Sequence, residues 1–438
     1  MTTEEKSPVY FASLTVGNVK CFKEEQTIDL TNKQGNFAQW TVILGNNNTG
    51  KTTLLQCLAG LKSVDHIKRK EENFVVLVIP LLNKHMYFFG LGGILTNGVL
   101  TKGQVTNFNL KICSKIIIRG DTDPEFEWGW IAGKDNSFYR LGISESLEIF
   151  SYGINRIMQN SKSIGMKVET ESDLLFSMLS NFLRNDESID IEEWLLQTYL
   201  AEKNGVKSAG LYLEKVKKVL ISGVLPDVKD LSFETSQQPP YNTYVLFDTD
   251  YGKLRLHELG YGYQSSISWL GDLMKRQFDR YPDSENPLAE PAIVLVDEID
   301  MHLHPEWQRK IIRFLSHHFP KTQFIVTSHS PLVVQSAENV NVVLLNKEGD
   351  KTIISQPDIK TFKGWTVVEI LEELMGLEGK TRSESYLELI RKFNQALYDE
   401  DLNSATQIYE KLDEILYPHS NQRTLLSIQM AGIIPKQS

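Results

Sequence analysis

Three short runs of apolar residues predict buried strands. Residues 41–44 read Thr-Val-Ile-Leu, residues 292–296 read Ala-Ile-Val-Leu-Val, and residues 323–327 read Gln-Phe-Ile-Val-Thr. None of them alternates strictly between apolar and polar positions, and such continuous runs are typical of parallel strands covered on both faces. Leucines recur at helical spacing over 54–61, directly after the first run. The pattern therefore predicts an α/β fold with a parallel sheet.

Weaker patterns outline the remaining elements. Further strands are predicted at residues 11–19, 27–30, 74–79, 110–118, 243–247, 342–345 and 352–355. Helices are predicted at residues 174–183, 191–200, 211–220, 267–274, 306–317, 383–398, 403–416 and 422–429. The turn Thr249–Gly252 predicts a hairpin after the strand at 243–247. No heptad pattern is long enough for a coiled coil, so the helical middle of the chain is predicted to be a compact insertion.

A glycine-containing stretch follows the first buried strand and matches the P-loop pattern G-x-x-x-x-G-K-[ST] in full. Its residues are Gly45, Asn46, Asn47, Asn48, Thr49, Gly50, Lys51 and Thr52, with Thr53 beside them. The glycines let backbone N–H groups converge on phosphate oxygens, and the following helix directs its positive end at them. Lys51 is predicted to reach the β- and γ-phosphates of ATP, and the Thr52 hydroxyl to hold Mg²⁺. A chance match in a Gly/Asn-rich turn is the alternative, which the flanking strand and helix disfavour.

Acidic and histidine side chains follow the other two buried strands. Asp297 is predicted to hold Mg²⁺ through its water shell, and the adjacent Glu298 to activate the attacking water as a general base. A strand end with two solvated acids is the alternative, which the P-loop in the same chain disfavours. His329 follows the third run and is a candidate donor to charge that develops during phosphate transfer. His302 and His304 lack the further ligands that a metal site needs.

Composition limits the partners of the chain. The 438 residues carry a formal net charge of −10, which argues against a broad, sequence-independent grip on DNA. The basic run 68–70 is a small candidate patch, and a solvated face is its simpler interpretation. The three cysteines are isolated, which fits a reducing compartment. With no signal-peptide pattern and no apolar window of membrane-spanning length, a cytoplasmic protein without membrane contact is predicted.

The sequence also resembles a known family. Residues 296–305, Val-Asp-Glu-Ile-Asp-Met-His-Leu-His-Pro, resemble the Walker B motif and D-loop of ABC-type ATPases. The resemblance is closest to the ABC/SMC branch with RecF, the overcoming-lysogenization-defect ATPases and the Septu defence ATPases, including those associated with retrons. Residues 256–266 resemble the ABC signature. A stretch around Arg156 is similar to a Tyr-Gly-x-x-Arg segment of the defence ATPases, and a plain turn is its alternative.

The resemblance implies roles for single residues. His329 is identified with the switch histidine that contacts the γ-phosphate or the attacking water. The signature of one subunit is expected to cover the ATP on the P-loop of a second subunit, in a homodimer or higher homo-oligomer. The implied signature residues are Leu259, Gly260, Gly262 and Ser265. Gly260 departs from the family pattern, in which a serine is typical, so either trans activation is weaker or Ser265 compensates.

The implied fold is a P-loop ATPase head with an antiparallel β subdomain, a helical insertion and a helical C-terminal extension. Residues 1–156 and 241–360 are expected to be the two halves of the head, and 157–240 the mainly helical insertion. Residues 361–438 are expected to be a helical extension that either docks a partner or packs on the core. The implied function is a slow ATPase of prokaryotic antiphage defence that controls a separate HNH nuclease. The chain is not expected to be a nuclease itself, because no acidic metal constellation follows His329. A RecF-like repair ATPase and a nucleotide-gated scaffold with little turnover are the alternatives.

Overall fold

The computed structural model describes residues 9–17, 19–59, 149–154, 190–225, 227–337, 339–359, 361–377, 379 and 381–433, and the backbone of nine strands between residues 64 and 141. The chain forms two compact units, Met1–Trp365 and Thr366–Ser438. The helix predicted at 174–183 and the candidate Arg156 lie outside the described residues.

The strands are β1 Val9–Phe11, β2 Ser13–Gly17, β3 Gln26–Asp29, β4 Trp40–Gly45, β5 Val64–Arg69, β6 Glu72–Val76, β7 Ile79–Pro80, β8 Met86–Phe88, β9 Gly93–Thr96, β10 Val99–Lys102, β11 Lys111–Ile118, β12 Glu127–Ala132, β13 Phe138–Leu141, β14 Ile149–Tyr152, β15 Val228–Thr235, β16 Thr243–Thr249, β17 Gly252–Leu254, β18 Ala292–Val296, β19 Thr322–Thr327, β20 Asn341–Glu348 and β21 Lys351–Ser355. The helices are α1 Lys51–Ala59, α2 Ile191–Lys203, α3 Lys207–Val219, α4 Tyr261–Arg280, α5 Pro305–Gln308, α6 Ile311–His318, α7 Pro331–Gln335, α8 Val367–Glu373, α9 Glu384–Tyr398, α10 Leu402–Ile415 and α11 Asn421–Ile433.

The central sheet of the first unit has the order β14-β18-β19-β4-β20-β21. Its first five strands are parallel, and β21 pairs antiparallel with β20. Every residue of β18 and β19 is buried, as the unbroken apolar runs predicted. The indole of Trp40 on β4 stacks on Phe324 of β19, with ring centroids 4.4 Å apart. The predicted parallel α/β sheet is confirmed.

An antiparallel sheet packs beside the central one, in the order β13-β12-β11-β2-β3, with β1 paired to β11. The fully buried Gln323 side chain joins the two sheets. Its Oε1 accepts the N–H of Phe11 at 2.9 Å, and its Nε2 donates to the carbonyl of Phe11 at 2.8 Å. Gln26 makes a second link, because its amide donates to Thr352 O and accepts from Ile354 N. Two side-chain amides thus satisfy backbone groups where the sheets meet.

The third part of the first unit surrounds the long helix α4. Strands β15, β16 and β17 form a three-stranded antiparallel sheet that includes the predicted hairpin. Helix α2 begins against α4, where Gly271 leaves no room for a side chain. A Cβ built on Gly271 would lie 2.1 Å from Cδ1 of Ile191. The close approach of the two helices therefore depends on glycine at this position.

The second unit contains the four helices α8 to α11, and it was predicted to be helical. Phe393, Ala405 and Leu412 are fully buried in its own apolar cluster, together with Leu426 near the chain end. Arg423 on α11 donates two hydrogen bonds to the carboxylate of Asp413 on α10. A separate cluster with its own ion pair explains why this segment forms a compact unit.

Two sequence expectations differ from the structure. The single helix predicted at 306–317 is two helices, α5 and α6, because residues 309 and 310 form a turn between them. The last part of the predicted helical insertion is the strand β15, whose partner is the β16 strand that follows it. Among the described residues, no helix is long and apolar enough to cross a membrane. The same residues contain no group of three or more His, Cys, Asp and Glu side chains that could hold a metal ion.

Candidate functional site

The predicted site residues meet at one edge of the central sheet. The P-loop follows β4, Asp297 and Glu298 follow β18, and His329 follows β19. These three strands are neighbours and run in the same direction, so their carboxyl ends lie side by side. Ligands of open parallel sheets bind outside the carboxyl ends of the strands. The sheet order therefore brings together residues that are more than 240 positions apart in sequence.

The P-loop has the backbone that its glycines were predicted to allow. Asn48 and Gly50 have φ angles of 62° and 97°, in the left-handed region. A Cβ on Gly50 would lie 2.5 Å from Sγ of Cys21 and 2.8 Å from the ring of Phe22. The Thr49 hydroxyl donates to Asn46 O at 2.8 Å and closes the loop on itself. Glycine at position 50 is thus required by both the φ angle and the neighbouring side chains.

The Lys51 side chain lies back across the loop. Its Nζ donates to the carbonyl of Gly45 at 2.8 Å and to that of Asn46 at 3.0 Å. Only 7% of this residue is exposed. Burial lowers the pKa of the Lys51 amine, and the carboxylates of Asp297 and Glu298 oppose that lowering. A bound phosphate would add negative charge beside an ammonium that has few water contacts.

Asp297 is the centre of a short hydrogen-bond network. Its Oδ2 accepts the Thr52 hydroxyl at 2.6 Å, and its Oδ1 accepts the Thr327 hydroxyl at 2.6 Å. The residue is 1% exposed. Thr52 is the second residue of the P-loop helix and Thr327 ends β19, so one carboxylate connects the ends of two neighbouring strands to that helix. The sequence predicted Thr52 and Asp297 as a pair, whereas Thr327 was missed.

Glu298 is held in an uncommon backbone conformation. Its φ angle is 49°, a value that costs free energy for a residue with a side chain. The Thr327 hydroxyl accepts its N–H at 2.7 Å, and the next N–H, of Ile299, donates to Thr327 O at 3.0 Å. His329 faces Glu298 across the edge, with Nε2 and Oε1 3.8 Å apart. Both side chains are partly exposed, so a water molecule has access to the space between them.

A hydrogen bond from the backbone of His329 to the D-loop fixes the position of this histidine. Oδ1 of Asp300 accepts the His329 N–H at 3.2 Å. The Gln308 amide donates to Asp300 O and Leu303 O, and its oxygen accepts the Ser330 hydroxyl at 2.7 Å. Asp300 and Gln308 were not predicted as site residues. The only feature of the sequence that could have indicated them is their position just after the Walker B acids.

The signature forms the N-terminal end of α4 and packs against the D-loop of the same chain. Gly260 is the N-cap of the helix, and its carbonyl accepts the N–H groups of Tyr263 and Gln264. A Cβ on Gly262 would lie 2.3 Å from the carbonyl oxygen of His302, whose ring also meets Tyr261 edge-on. The signature and the D-loop are therefore one continuous surface.

Gly260 and Ser265 occupy different environments. Gly260 is exposed, and a Cβ there would touch only the Tyr263 ring, at 3.6 Å. Ser265 is 8% exposed, and Leu259 is also buried. Compensation by the Ser265 hydroxyl for the serine missing at position 260 stays a prediction, and it concerns a residue of which little is exposed. The backbone N–H groups at the helix start remain available to an anion.

Replacing Gly262 with alanine is expected to separate the signature from the D-loop. The added methyl group overlaps the His302 carbonyl, so the unfolding free energy should fall by about 1–3 kcal/mol. Gly210→Ala is the matched control, because Gly210 also lies within a helix and an added Cβ would meet only the flexible Glu202 side chain, so it should not lower the unfolding midpoint. Denaturant unfolding of both variants makes the measurement. Equal unfolding midpoints of Gly262→Ala and the control would show that the D-loop can move away from the added methyl group without loss of stability.

The residues present fit ATP with Mg²⁺. The Thr52 hydroxyl and the Asp297 carboxylate are the oxygen donors that Mg²⁺ prefers. Gly50 leaves the loop backbone accessible where a side chain could not fit, and Lys51 supplies the cation. The arrangement can hold a triphosphate at the P-loop and place Glu298 and His329 beside its terminal group.

Comparisons with known proteins agree with this site. Residues 173–335 match the family described as "AAA domain, putative AbiEii toxin, Type IV TA system", and residues 13–61 match a second AAA domain family. These two segments contain the P-loop, the signature, the Walker B acids and His329. Each match covers less than half of the chain.

Relatives of known name are also similar. Septu protein PtuA of Bacillus thuringiensis is 29% identical over 65% of this chain and 72% of its own length. The retron Ec83 probable ATPase of Escherichia coli is 30% identical over 42% of this chain and 33% of its own length.

Among solved structures, the Smc head domain of Pyrococcus furiosus, bound to the C-terminal domain of ScpA, has a TM-score of 0.44 at 13% identity. That alignment covers 83% of this chain and 99% of the other. The chain is therefore similar to AAA-type ATPases, on the evidence of the two matched AAA domain families and the similar relatives.

Proposed function

We propose that this chain is the regulatory ATPase of a prokaryotic antiphage defence system, in which it controls a separate nuclease of the HNH type. The observation that carries the proposal is the complete set of ATPase groups at one sheet edge, in a chain similar to Septu PtuA and the retron Ec83 ATPase. The first is similar over almost three quarters of the relative's length and the second over a third, so the role in defence is part of the proposal.

In the proposed chemistry, residues of one chain have separate roles in binding the phosphates, holding the metal and activating water. Lys51 and the loop N–H groups bind the phosphates, while Thr52 and Asp297 hold the metal. Mg²⁺, when bound, neutralises charge on the phosphate oxygens. Glu298 takes the proton of the attacking water, for which its carboxylate is exposed enough and its backbone is fixed by Thr327.

His329 lies on the opposite side of that water and donates to the charge that develops on the γ-phosphate. Its backbone N–H is already bound by Asp300, which fixes the histidine relative to the Walker B turn. A preorganised donor of this kind stabilises the transition state without reorganisation.

The signature is proposed to act on a second copy. Among the described residues, no hydrogen bond joins the signature turn to the P-loop of the same chain. The helix N-terminus at Gly260 nevertheless presents N–H groups suited to phosphate. A homodimer in which each signature covers the partner's ATP satisfies both observations. The exposed glycine at position 260 removes a hydroxyl donor from that contact, which supports slow turnover.

The C-terminal unit is the proposed contact with the nuclease. Tyr398, Tyr417 and Ile428 are each more than half exposed, and we propose that they supply apolar contacts to the partner. The unit has its own core, so it is able to present this surface independently of ATP chemistry.

The experiment that tests the proposal is phage infection of bacteria that carry this gene with its neighbouring genes. Plaque numbers should fall by about a hundredfold or more with the unchanged genes, and return to the level of an empty plasmid when Glu298 is glutamine. Glu306→Gln, the same change at an exposed position of α5, is the control and should protect. Protection that survives Glu298→Gln would contradict a role for ATP turnover. Purified protein that binds duplex DNA only with ATP would favour a repair function.

A further inference from the structure

A buried polar cluster connects the central sheet to the signature helix. The Tyr152 hydroxyl, at the end of β14, donates to Oδ2 of Asp272 on α4 at 2.8 Å. Nε of Arg276, one turn further along α4, donates to the same oxygen at 2.7 Å. All three residues are 6% exposed or less. The cluster lies outside the groups assigned to ATP chemistry, and its tyrosine is the first residue of the Tyr-Gly-x-x-Arg segment noted in the sequence.

The same tyrosine is bonded to the ATP site through its backbone. Its carbonyl accepts the N–H of Asp297 at 2.8 Å. Asp297 in turn accepts the hydroxyls of Thr52 and Thr327. One residue therefore has its main chain on the Walker B turn and its side chain on the helix that begins with the signature.

Burying this polar cluster between the sheet and the helix costs free energy. Burying a hydroxyl, a carboxylate and a guanidinium costs desolvation free energy that an apolar contact of equal size would avoid. Burial raises the pKa of the Tyr152 hydroxyl, and Asp272 raises it further, so the hydroxyl stays protonated and donates. Trp269 packs on the tyrosine ring, with centroids 5.6 Å apart, and fixes its position. Directional bonds of this kind specify one position of α4 along the sheet.

We propose that Tyr152 is a positioning residue that couples ATP binding at the P-loop to the placement of the signature of the same chain. A shift of Asp297 on ATP binding would move Tyr152, and Asp272 would transmit the movement to α4. The helix is rigid, and at about 1.5 Å per residue the signature lies about 16 Å from Asp272. The proposal rests on the proposed function, because a placed signature matters only if it acts on a second copy.

The test compares the unchanged protein with Tyr152→Phe and with Tyr281→Phe. Tyr152→Phe removes the hydroxyl and keeps the ring against Trp269. Tyr281, at the other end of α4, donates its hydroxyl to Pro291 O at 2.7 Å, so its replacement removes one helix-anchoring bond of the same kind. The measurements are affinity for a fluorescent ATP analogue, kcat and KM for ATP, and hydrogen exchange of residues 259–266 with and without Mg·ATP.

We expect the ATP affinity and the KM of both variants to stay within about twofold of the values of the unchanged protein. Tyr152→Phe should lose about tenfold in kcat, the effect of one hydrogen bond to a charged group, and should lose the ATP-dependent protection of residues 259–266. Tyr281→Phe should keep both. The coupling is overturned if Tyr152→Phe keeps its protection and kcat, or if ATP gives the unchanged protein no protection there. Unchanged protein that binds ATP without turnover would instead count against the proposed ATPase, and the exchange data would still decide the coupling.

Discussion

Replacement of Glu298 by glutamine is expected to lower kcat for ATP at least about a hundredfold, because a general base contributes about 10²–10⁴ to such a rate. Glutamine has nearly the same shape and keeps the Thr327 contact, which uses only the backbone N–H of residue 298. It cannot accept the proton of the attacking water. ATP affinity should therefore stay within about threefold, and the ATP-bound dimer should accumulate because hydrolysis no longer separates it. Phosphate release and mass measured with and without ATP test both parts.

Glu306→Gln is the matched control for this prediction. Glu306 is an exposed residue of α5 whose carboxylate pairs with Lys310 in the turn that follows this helix. Its replacement should leave kcat within about twofold, because an exposed ion pair contributes little. If Glu298→Gln retained most of its turnover while ATP binding was normal, Glu298 would be a sensor of nucleotide and the scaffold alternative would gain support.

Replacement of Lys51 by methionine is expected to weaken ATP binding by about a hundredfold. Methionine keeps the length and the apolar stem, and it removes the only P-loop cation along with its bonds to Gly45 and Asn46. Bonds from a charged donor to phosphate contribute about 1.5–3 kcal/mol, or about ten- to a hundredfold in affinity. Titration with a fluorescent ATP analogue gives the dissociation constant, and thermal unfolding shows whether the loop still folds.

Lys20→Met is the control for the loss of one positive charge near the P-loop helix. The Lys20 amine donates to the side chain of Gln56 on the P-loop helix at 3.1 Å, so this lysine is close to the site without facing the phosphate cradle. Its loss should change ATP affinity by no more than about twofold. Equal affinity of Lys51→Met and unchanged protein would show that the loop N–H groups alone bind the triphosphate, and the predicted role of Lys51 would be wrong.

The proposal of slow turnover rests on the glycine at position 260 of the signature. Position 260 has room for a serine side chain, since its nearest neighbour is the Tyr263 ring. The chain therefore has no side-chain hydroxyl at position 260, although the fold has room for one.

The sequence by itself determined the groups whose geometry is local. The P-loop was readable because its eight residues are contiguous and its glycines are needed by the backbone, as the φ angle of Gly50 shows. The buried strands were readable because a parallel strand covered on both faces needs unbroken apolar residues. Asp297, Glu298 and His329 were predicted because each lies within two residues of the end of such a strand.

Only the tertiary structure decided which distant residues touch. The order β14-β18-β19-β4 brings Thr327 against Asp297 and Tyr152 against Asp272, and an apolar run does not specify its neighbours in the sheet. The burial of Ser265 depended on which face of α4 packs inward, and the need for Gly262 depended on the distant His302. The physical reason is the same in each case. Local patterns fix the conformation of a segment, whereas side-chain contacts between segments follow from how the sheet and helices pack.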